Sequence, residues 1–195
     1  MKKRAALDAL ARHRTDEVVV TCMSVVRPWG RMSDHPLDFA SADSAMGHTA
    51  DFALGIALAR PDRRVVCLNG DGSMLMTLGT LVTAAGSGAR NFVLIVVNNG
   101  TYEITGNQPI PGAPGVDFVG LARASGFPHA AAFDDAEAFE AALPALLTQD
   151  GPVLVDLRID PESEGPIGRR PEEPAPYLKV SLETSASRLR AALEE

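Results

Sequence analysis

Apolar positions along the chain alternate between short continuous runs and longer stretches at helical spacing. Ala5 to His13 repeats its apolar residues with a helical period. Glu17 to Met23 (EVVVTCM) is β-branched and continuously apolar, as a buried strand is. Val25 to Pro36, broken by Pro28, Trp29, Gly30 and Pro36, reads as irregular. Asp51 to Arg60 is an Ala- and Leu-rich helix closed by Pro61 and Asp62, and Arg64 to Asn69 is a strand running straight into Gly70-Asp71-Gly72-Ser73. Met74 to Ala85 reads as one helix, with Gly86 and Gly88 suited to its C-terminal cap. Asn91 to Val97 (NFVLIVV) has no polar face after its first residue, which predicts a strand buried on both sides.

Gln108 to Val116 carries Pro109, Pro111, Pro114 and two glycines and is predicted to be a loop. Asp117 to Ser125 and Asp134 to Leu147 are predicted helices, each opening on an aspartate that can cap free amide groups. Pro152 to Ile159 is the last predicted strand. Five prolines between 161 and 176 then forbid regular structure, so 160–181 reads as an irregular tail before a final helix from about Leu182. Strands alternating with helices imply a parallel sheet with helices on both faces. The expected fold is a single doubly wound α/β domain over residues 1–195.

Composition narrows the partners. The chain has 18 Lys and Arg against 25 Asp and Glu, a net charge of −7, which argues against a nucleic-acid binder with a general basic surface. The basic cluster Lys2, Lys3, Arg4, Arg12 and Arg14 reads as the solvated face of one helix. Cys22 and Cys67 lie inside apolar runs and read as reduced, buried small hydrophobes. With no apolar run of membrane length and no secretory signal pattern, the chain is expected to be cytoplasmic and to make no membrane contact.

Candidate chemistry gathers at two strand ends. In open parallel sheets ligands bind at the carboxyl ends of strands. Gly70-Asp71-Gly72-Ser73 follows one strand, and Asn98-Asn99-Gly100-Thr101 follows the next. Glycines on either side of an aspartate allow a tight turn and close approach to a ligand. The helix that follows offers unpaired amides and a positive dipole end, which suit phosphate. Asp71 adds a hard oxygen, and a divalent cation such as magnesium is what joins a carboxylate to a diphosphate. Each signature alone is also a common turn; their recurrence at successive strand ends is what singles them out. A Walker motif and a Gly-x-Gly-x-x-Gly fingerprint are absent from the sequence.

Gly70-Asp71-Gly72, then twenty-five residues, then Asn98-Asn99 resembles the thiamine diphosphate fingerprint. The whole stretch LNGDGSMLMTLGTLVTAAGSGARNFVLIVVNNGTYEITGNQ is similar to the diphosphate-binding domain of thiamine diphosphate-dependent 2-oxo acid decarboxylases. Upstream, Ser44-Ala45-Met46-Gly47-His48 and Ala53-Leu54-Gly55-Ile56-Ala57 fit the same pattern, as do Gly126-Phe127-Pro128 and Gly151-Pro152-Val153 downstream. The resemblance covers about residues 15 to 160, and its pattern is similar to sulfopyruvate and phosphonopyruvate decarboxylases, especially the small subunit of the two-chain form.

The resemblance implies thiamine diphosphate and magnesium as cofactors. It makes Asp71 the first metal ligand, Asn99 the second and the Thr101 carbonyl the third, with Asn98 open as a substitute for Asn99. Gly70, Gly72 and Ser73 would hold the diphosphate, with Tyr102 beside it. Met46 would be the apolar wedge that bends the cofactor, while the Ser44 carbonyl and the Met46 amide, next to Gly47, would meet the pyrimidine edge. Plain core is the competing reading for Met46. His48 is a candidate for substrate contact, against a cap or surface role. Arg27, Arg31 and His35 are candidates for an anionic substrate tail, against a solvated loop, and Glu103 and Gln108 are candidates for lining the site.

Related enzymes take an activating glutamate from a separate pyrimidine-binding domain. Room for one domain here implies half an active site, completed by a pyrimidine-binding partner subunit in a dimer or higher oligomer. The expected activity is decarboxylation of a small anionic 2-oxo acid. An acetolactate synthase-type carboligase and a cofactor-binding module without catalysis remain as alternatives.

Overall fold

A computed structural model of the chain describes residues 1–42, 46–165 and 172–194. Its frame is a six-stranded sheet in the order β2-β1-β3-β4-β8-β7 with every neighbouring pair parallel. The strands are β1 (Val18–Cys22), β2 (Asp38–Ala42), β3 (Val65–Gly70), β4 (Phe92–Asn98), β7 (His129–Phe133) and β8 (Val153–Arg158). A small antiparallel ribbon, β5 (Thr101–Tyr102) with β6 (Gln108–Pro109), stands apart from the sheet.

Helices cover both faces, as the continuous apolar strands require. Successive side chains of a strand point to opposite faces, and the core divides accordingly. Val18, Val20, Val65, Cys67, Phe92, Leu94 and Val96 meet α3 (Thr49–Ala59), α5 (Gly79–Gly86) and α6 (Phe118–Ser125) through Ala53, Leu54, Leu81, Ala84, Phe118 and Ala122. Val19, Val66, Leu68, Val93, Ile95 and Val97 meet α1 (Lys3–His13) and α7 (Ala136–Thr148) through Leu7, Leu10, Phe139 and Leu143. The last helix, α8 (Leu182–Glu194), adds Leu189 to the first layer. This is the doubly wound α/β arrangement that the alternation of elements predicts.

Four local expectations need correction. Residues 26–30 are not irregular: they form a short helix, α2 (Val26–Gly30). Pro28 is tolerated there because the first turn of a helix leaves its amide positions without intrahelical acceptors. The predicted helix Met74 to Ala85 is two helices, α4 (Asp71–Met76) and α5, separated at Thr77 and Leu78. The Thr77 hydroxyl donates to the Gly47 carbonyl, and its backbone leaves helical geometry at φ −140°, ψ 52°. Two strands carry no clear sequence signal, β2 (DFASA) and β7 (HAAAF), and both lie at the sheet's edges. The aspartate capping α7 is Asp135, which accepts the Ala138 amide at 2.9 Å.

Both cysteines are free and buried. Burial pushes both thiols above their ordinary pKa, so neither is a ready thiolate. A thiol reagent is expected to find no reactive cysteine in the native protein and two after denaturation; rapid labelling of the folded chain would contradict the packing of β1 and β3. No helix among the described residues is long and apolar enough to cross a membrane.

Candidate active site

Strand order places the ligand crevice. From β1 the chain runs to β2 on one side, while β3 is followed by β4 on the other side, so the connections diverge between β1 and β3. Such a switch point leaves an opening at the carboxyl ends of the two strands. A cavity of about 280 Å³ lies there. Its walls come from three strand ends: Met23 and Ser24 after β1, Gly70 to Ser73 after β3, and Asn99 and Thr101 to Thr105 after β4; Met46 and Met76 complete it.

Asp71 sits at the junction. It opens α4 directly after β3 and is 3% exposed. One carboxylate oxygen accepts the Gly72 amide at 2.8 Å, and the other accepts the Gly100 amide at 2.7 Å. Burial raises the carboxyl above the ordinary carboxylate range, and those two amides oppose the rise. Gly72 admits the ring of Tyr102: a Cβ there would stand 2.6 Å from Tyr102 Cε1.

Asn99 enters the same cavity from the end of β4. Its Oδ1 accepts the Thr101 amide at 3.0 Å, and its Nδ2 donates to Glu103 Oε2 at 2.9 Å. Asn98 points elsewhere, donating to Asp156 Oδ1 on β8 at 2.9 Å. Thr101 is paired in the ribbon with Pro109, which has no N–H to offer its carbonyl.

Met46 and Gly47 are fixed from below by α4 and the turn after it. The Gly47 amide donates to Ser73 Oγ at 2.9 Å, and its carbonyl accepts the Thr77 hydroxyl. Gly47 has φ +87°, and a Cβ there would approach Met76 Cβ to 3.2 Å, so glycine is the residue this position takes. This clamp sets Met46 on the cavity wall.

Other candidates are placed outside the cavity. His48 precedes α3 on the surface, 3.2 Å from Asp51 Oδ2. Arg27 donates to the carbonyls of Glu164 and Gly165, and Arg31 pairs with Glu164 and Glu173 at 3.1 Å. Both arginines therefore hold the proline-rich tail against α2. The His35 amide donates to Asp38 Oδ2, and Gln108 bonds to Thr105. Ser44 lies outside the described residues. Sequence reasoning missed Met23, Ser24, Met76, Val97, Ile104 and Thr105 as cavity walls. Met23 carries a signal only in the backbone: at φ +49° it is a bulky residue in left-handed geometry, a strain that collects at functional sites.

The chemistry of the donor set favours a hard cation. A carboxylate, an amide oxygen and a main-chain carbonyl are the oxygen ligands magnesium accepts. No group of three His, Cys, Asp or Glu side chains that could hold a metal occurs among the described residues. A cation held by this set would complete its shell with oxygens from water or from a bound ligand, and a diphosphate can supply them.

Comparison with known proteins meets this geometry. Residues 21–157 match the family described as thiamine pyrophosphate enzyme, C-terminal TPP binding domain. A phosphonopyruvate decarboxylase of Streptomyces viridochromogenes is 40% identical over 131 residues, covering 67% of this chain and 32% of that protein. The chain thus spans about a third of the phosphonopyruvate decarboxylases it matches. Sulfopyruvate decarboxylase subunit beta of Methanothermobacter thermautotrophicus is 34% identical over 162 residues, 83% of each chain. Among solved structures, the thiamine diphosphate-dependent 4-hydroxybenzoylformate decarboxylase of Rhodococcus jostii superposes with a TM-score of 0.67 at 27% identity, over 84% of this chain and 33% of that one. The switch-point cavity lies within the matched segment, and the chain belongs to the thiamine pyrophosphate enzymes through their C-terminal TPP binding domain.

Proposed function

We propose that this chain is the diphosphate-binding subunit of a two-chain, thiamine diphosphate-dependent decarboxylase of a small anionic 2-oxo acid, of the sulfopyruvate or phosphonopyruvate kind. The observation that carries the reading is the convergence of Asp71 and Asn99 on one cavity at the sheet's switch point, inside a TPP-binding domain. The two-chain form is supported by the beta-subunit relative, which this chain matches over 83% of its length.

In this reading Asp71, Asn99 and the Thr101 carbonyl hold magnesium, and the bond from Asn98 to Asp156 supports Asn99 over Asn98. The Ser73 amide and hydroxyl face the diphosphate, while the Gly72 amide is held by Asp71 and its missing side chain leaves the backbone open to approach. Ser73 Oγ already accepts from Gly47, which leaves its own proton to donate. Met46 supports the cofactor from the cavity wall, and Tyr102 packs on the Gly72 backbone. The contact of the His48 ring with Asp51 on the surface supports the cap or surface role over substrate contact. When bound, thiamine diphosphate supplies the electron sink for loss of carbon dioxide. The chain's own residues anchor it and fix its orientation.

Met46→Ala is expected to lower turnover much more than cofactor affinity, because it removes a wedge while leaving the diphosphate anchor intact. Measured side by side, equal loss of both or loss of neither would make Met46 ordinary core.

The proposal is tested by purifying the chain with its native partner and assaying sulfopyruvate, phosphonopyruvate and pyruvate. Release of a free aldehyde from an anionic 2-oxo acid is expected. A hydroxyketone product would establish a carboligase, and cofactor binding without product would establish a binding module.

A further inference from the structure

We propose that Lys3 and Glu103 form a positioning device that holds the Asn99 amide with its oxygen toward the metal. The inference rests on Asn99 being a metal ligand. Lys3 lies in the first turn of α1, a hundred residues from Glu103, yet both side chains are 1% exposed. A lysine and a glutamate reach such burial only when paired. Glu103 lies in the cavity wall and accepts from every side. Lys3 Nζ lies 2.8 and 2.9 Å from its two oxygens, the Glu164 amide donates to Oε1 at 3.1 Å, and Asn99 Nδ2 donates to Oε2 at 2.9 Å. Lys3 Nζ also donates to the Ser24 carbonyl at 3.3 Å.

The orientation of an asparagine amide follows from its partners. Glu103 is acceptor-only when ionised, and Thr101 N–H is a donor. Turning the Asn99 amide over would set Oδ1 against a carboxylate oxygen and Nδ2 against an N–H, losing both bonds. A metal accepts the oxygen and not the NH2. Glu103 therefore fixes which atom of Asn99 faces the cation, and the Lys3 ammonium draws on both Glu103 oxygens and keeps the carboxylate in place. Glu103 does this through Asn99 without touching the metal.

Glu103→Gln separates this role from packing, because it keeps the volume. The Lys3 ammonium would claim the new amide oxygen and turn the new NH2 toward Asn99 Nδ2, donor against donor. Adding Lys3→Met removes the ammonium, so the new oxygen can turn back to Asn99 against the competition of the Glu164 amide alone. The readout is the magnesium concentration giving half-maximal thiamine diphosphate binding by calorimetry, on the full chain in the assembly in which it purifies, with melting temperature followed in parallel. Glu103→Gln is expected to raise that concentration about 10–100-fold, the usual scale for a partner lying behind a metal ligand. The double variant is expected to recover part of the loss, because the Glu164 amide still competes for the oxygen. A wild-type magnesium requirement in Glu103→Gln, or a double variant as impaired as the single one, would overturn the proposal.

If Glu103→Gln does not fold, Asn99→Asp and Asn99→Asp/Glu103→Gln test the same contact. Two facing carboxylates repel, so the double variant is expected to need less magnesium than Asn99→Asp alone, and an equal or greater need would overturn the proposal. Asn99→Ala distinguishes the levels. An unchanged magnesium requirement there removes Asn99 as a ligand altogether, whereas a shift there with none in Glu103→Gln removes only the positioning role.

Discussion

Asp71→Ala is expected to abolish magnesium-dependent binding of thiamine diphosphate while leaving the fold intact. Asp71 is the one full negative charge in the proposed ligand set, and it acts in a buried cavity wall where water screens it little. Removing one partner of a buried, hydrogen-bonded charge pair costs about 2–5 kcal/mol. At about 1.4 kcal/mol per tenfold, that is a loss of roughly 30- to several-thousand-fold in affinity. Without cofactor the same charge is a burden, since burial raises the Asp71 carboxyl and its ionised form is favoured less in the folded chain than in the unfolded one. Asp71→Asn keeps an acceptor for the Gly72 or Gly100 amide and sheds the charge. It is therefore expected to stay folded in the absence of cofactor, relief of the buried charge being set against one lost amide contact, yet to lose the magnesium-dependent affinity. Calorimetric titration of both variants, beside their melting curves, checks both halves. Wild-type affinity in either variant would remove Asp71 as a ligand.

The central strands and the paired signatures were legible for a physical reason. β1, β3, β4 and β8 are covered on both faces, so their own side chains must be apolar, and that requirement is written in each run. The edge strands carry no such requirement. β2 and β7 are made strands by pairing with β1 and β8, and His129–Phe133 is half exposed and alanine-rich. The split of α4 from α5 was illegible because it depends on Thr77 meeting Gly47, thirty residues upstream. In the site, Asp71 and Asn99 follow successive strands, so local sequence brings them to neighbouring strand ends. Local sequence does not separate Asn98 from Asn99, because what distinguishes them is side-chain direction: Asn98 turns toward Asp156 on β8, and Asn99 toward the cavity. Lys3 with Glu103 is a long-range contact with no periodic signature, and Lys3 was read as part of a solvated basic face for that reason.

The isolated chain is expected to bind thiamine diphosphate weakly and to release no carbon dioxide from 2-oxo acids. Among the described residues two carboxylates line the cavity, and both are committed. Asp71 takes two backbone amides and is assigned to the metal; Glu103 is held by Lys3, Asn99 and the Glu164 amide. Neither is free to exchange a proton with the cofactor's pyrimidine, the task that related enzymes give to a glutamate on their pyrimidine-binding domain. General acid–base assistance of this kind is worth about 10²–10⁴-fold in rate. A partner carrying that glutamate would also cover apolar surface at the site, where Met76 on the cavity wall is 55% exposed. The decisive measurement is carbon dioxide release from sulfopyruvate and phosphonopyruvate by the purified chain, by its purified partner, and by the two combined, each with magnesium and thiamine diphosphate. Activity confined to the mixture is the result a divided site requires; comparable turnover by this chain alone would contradict it.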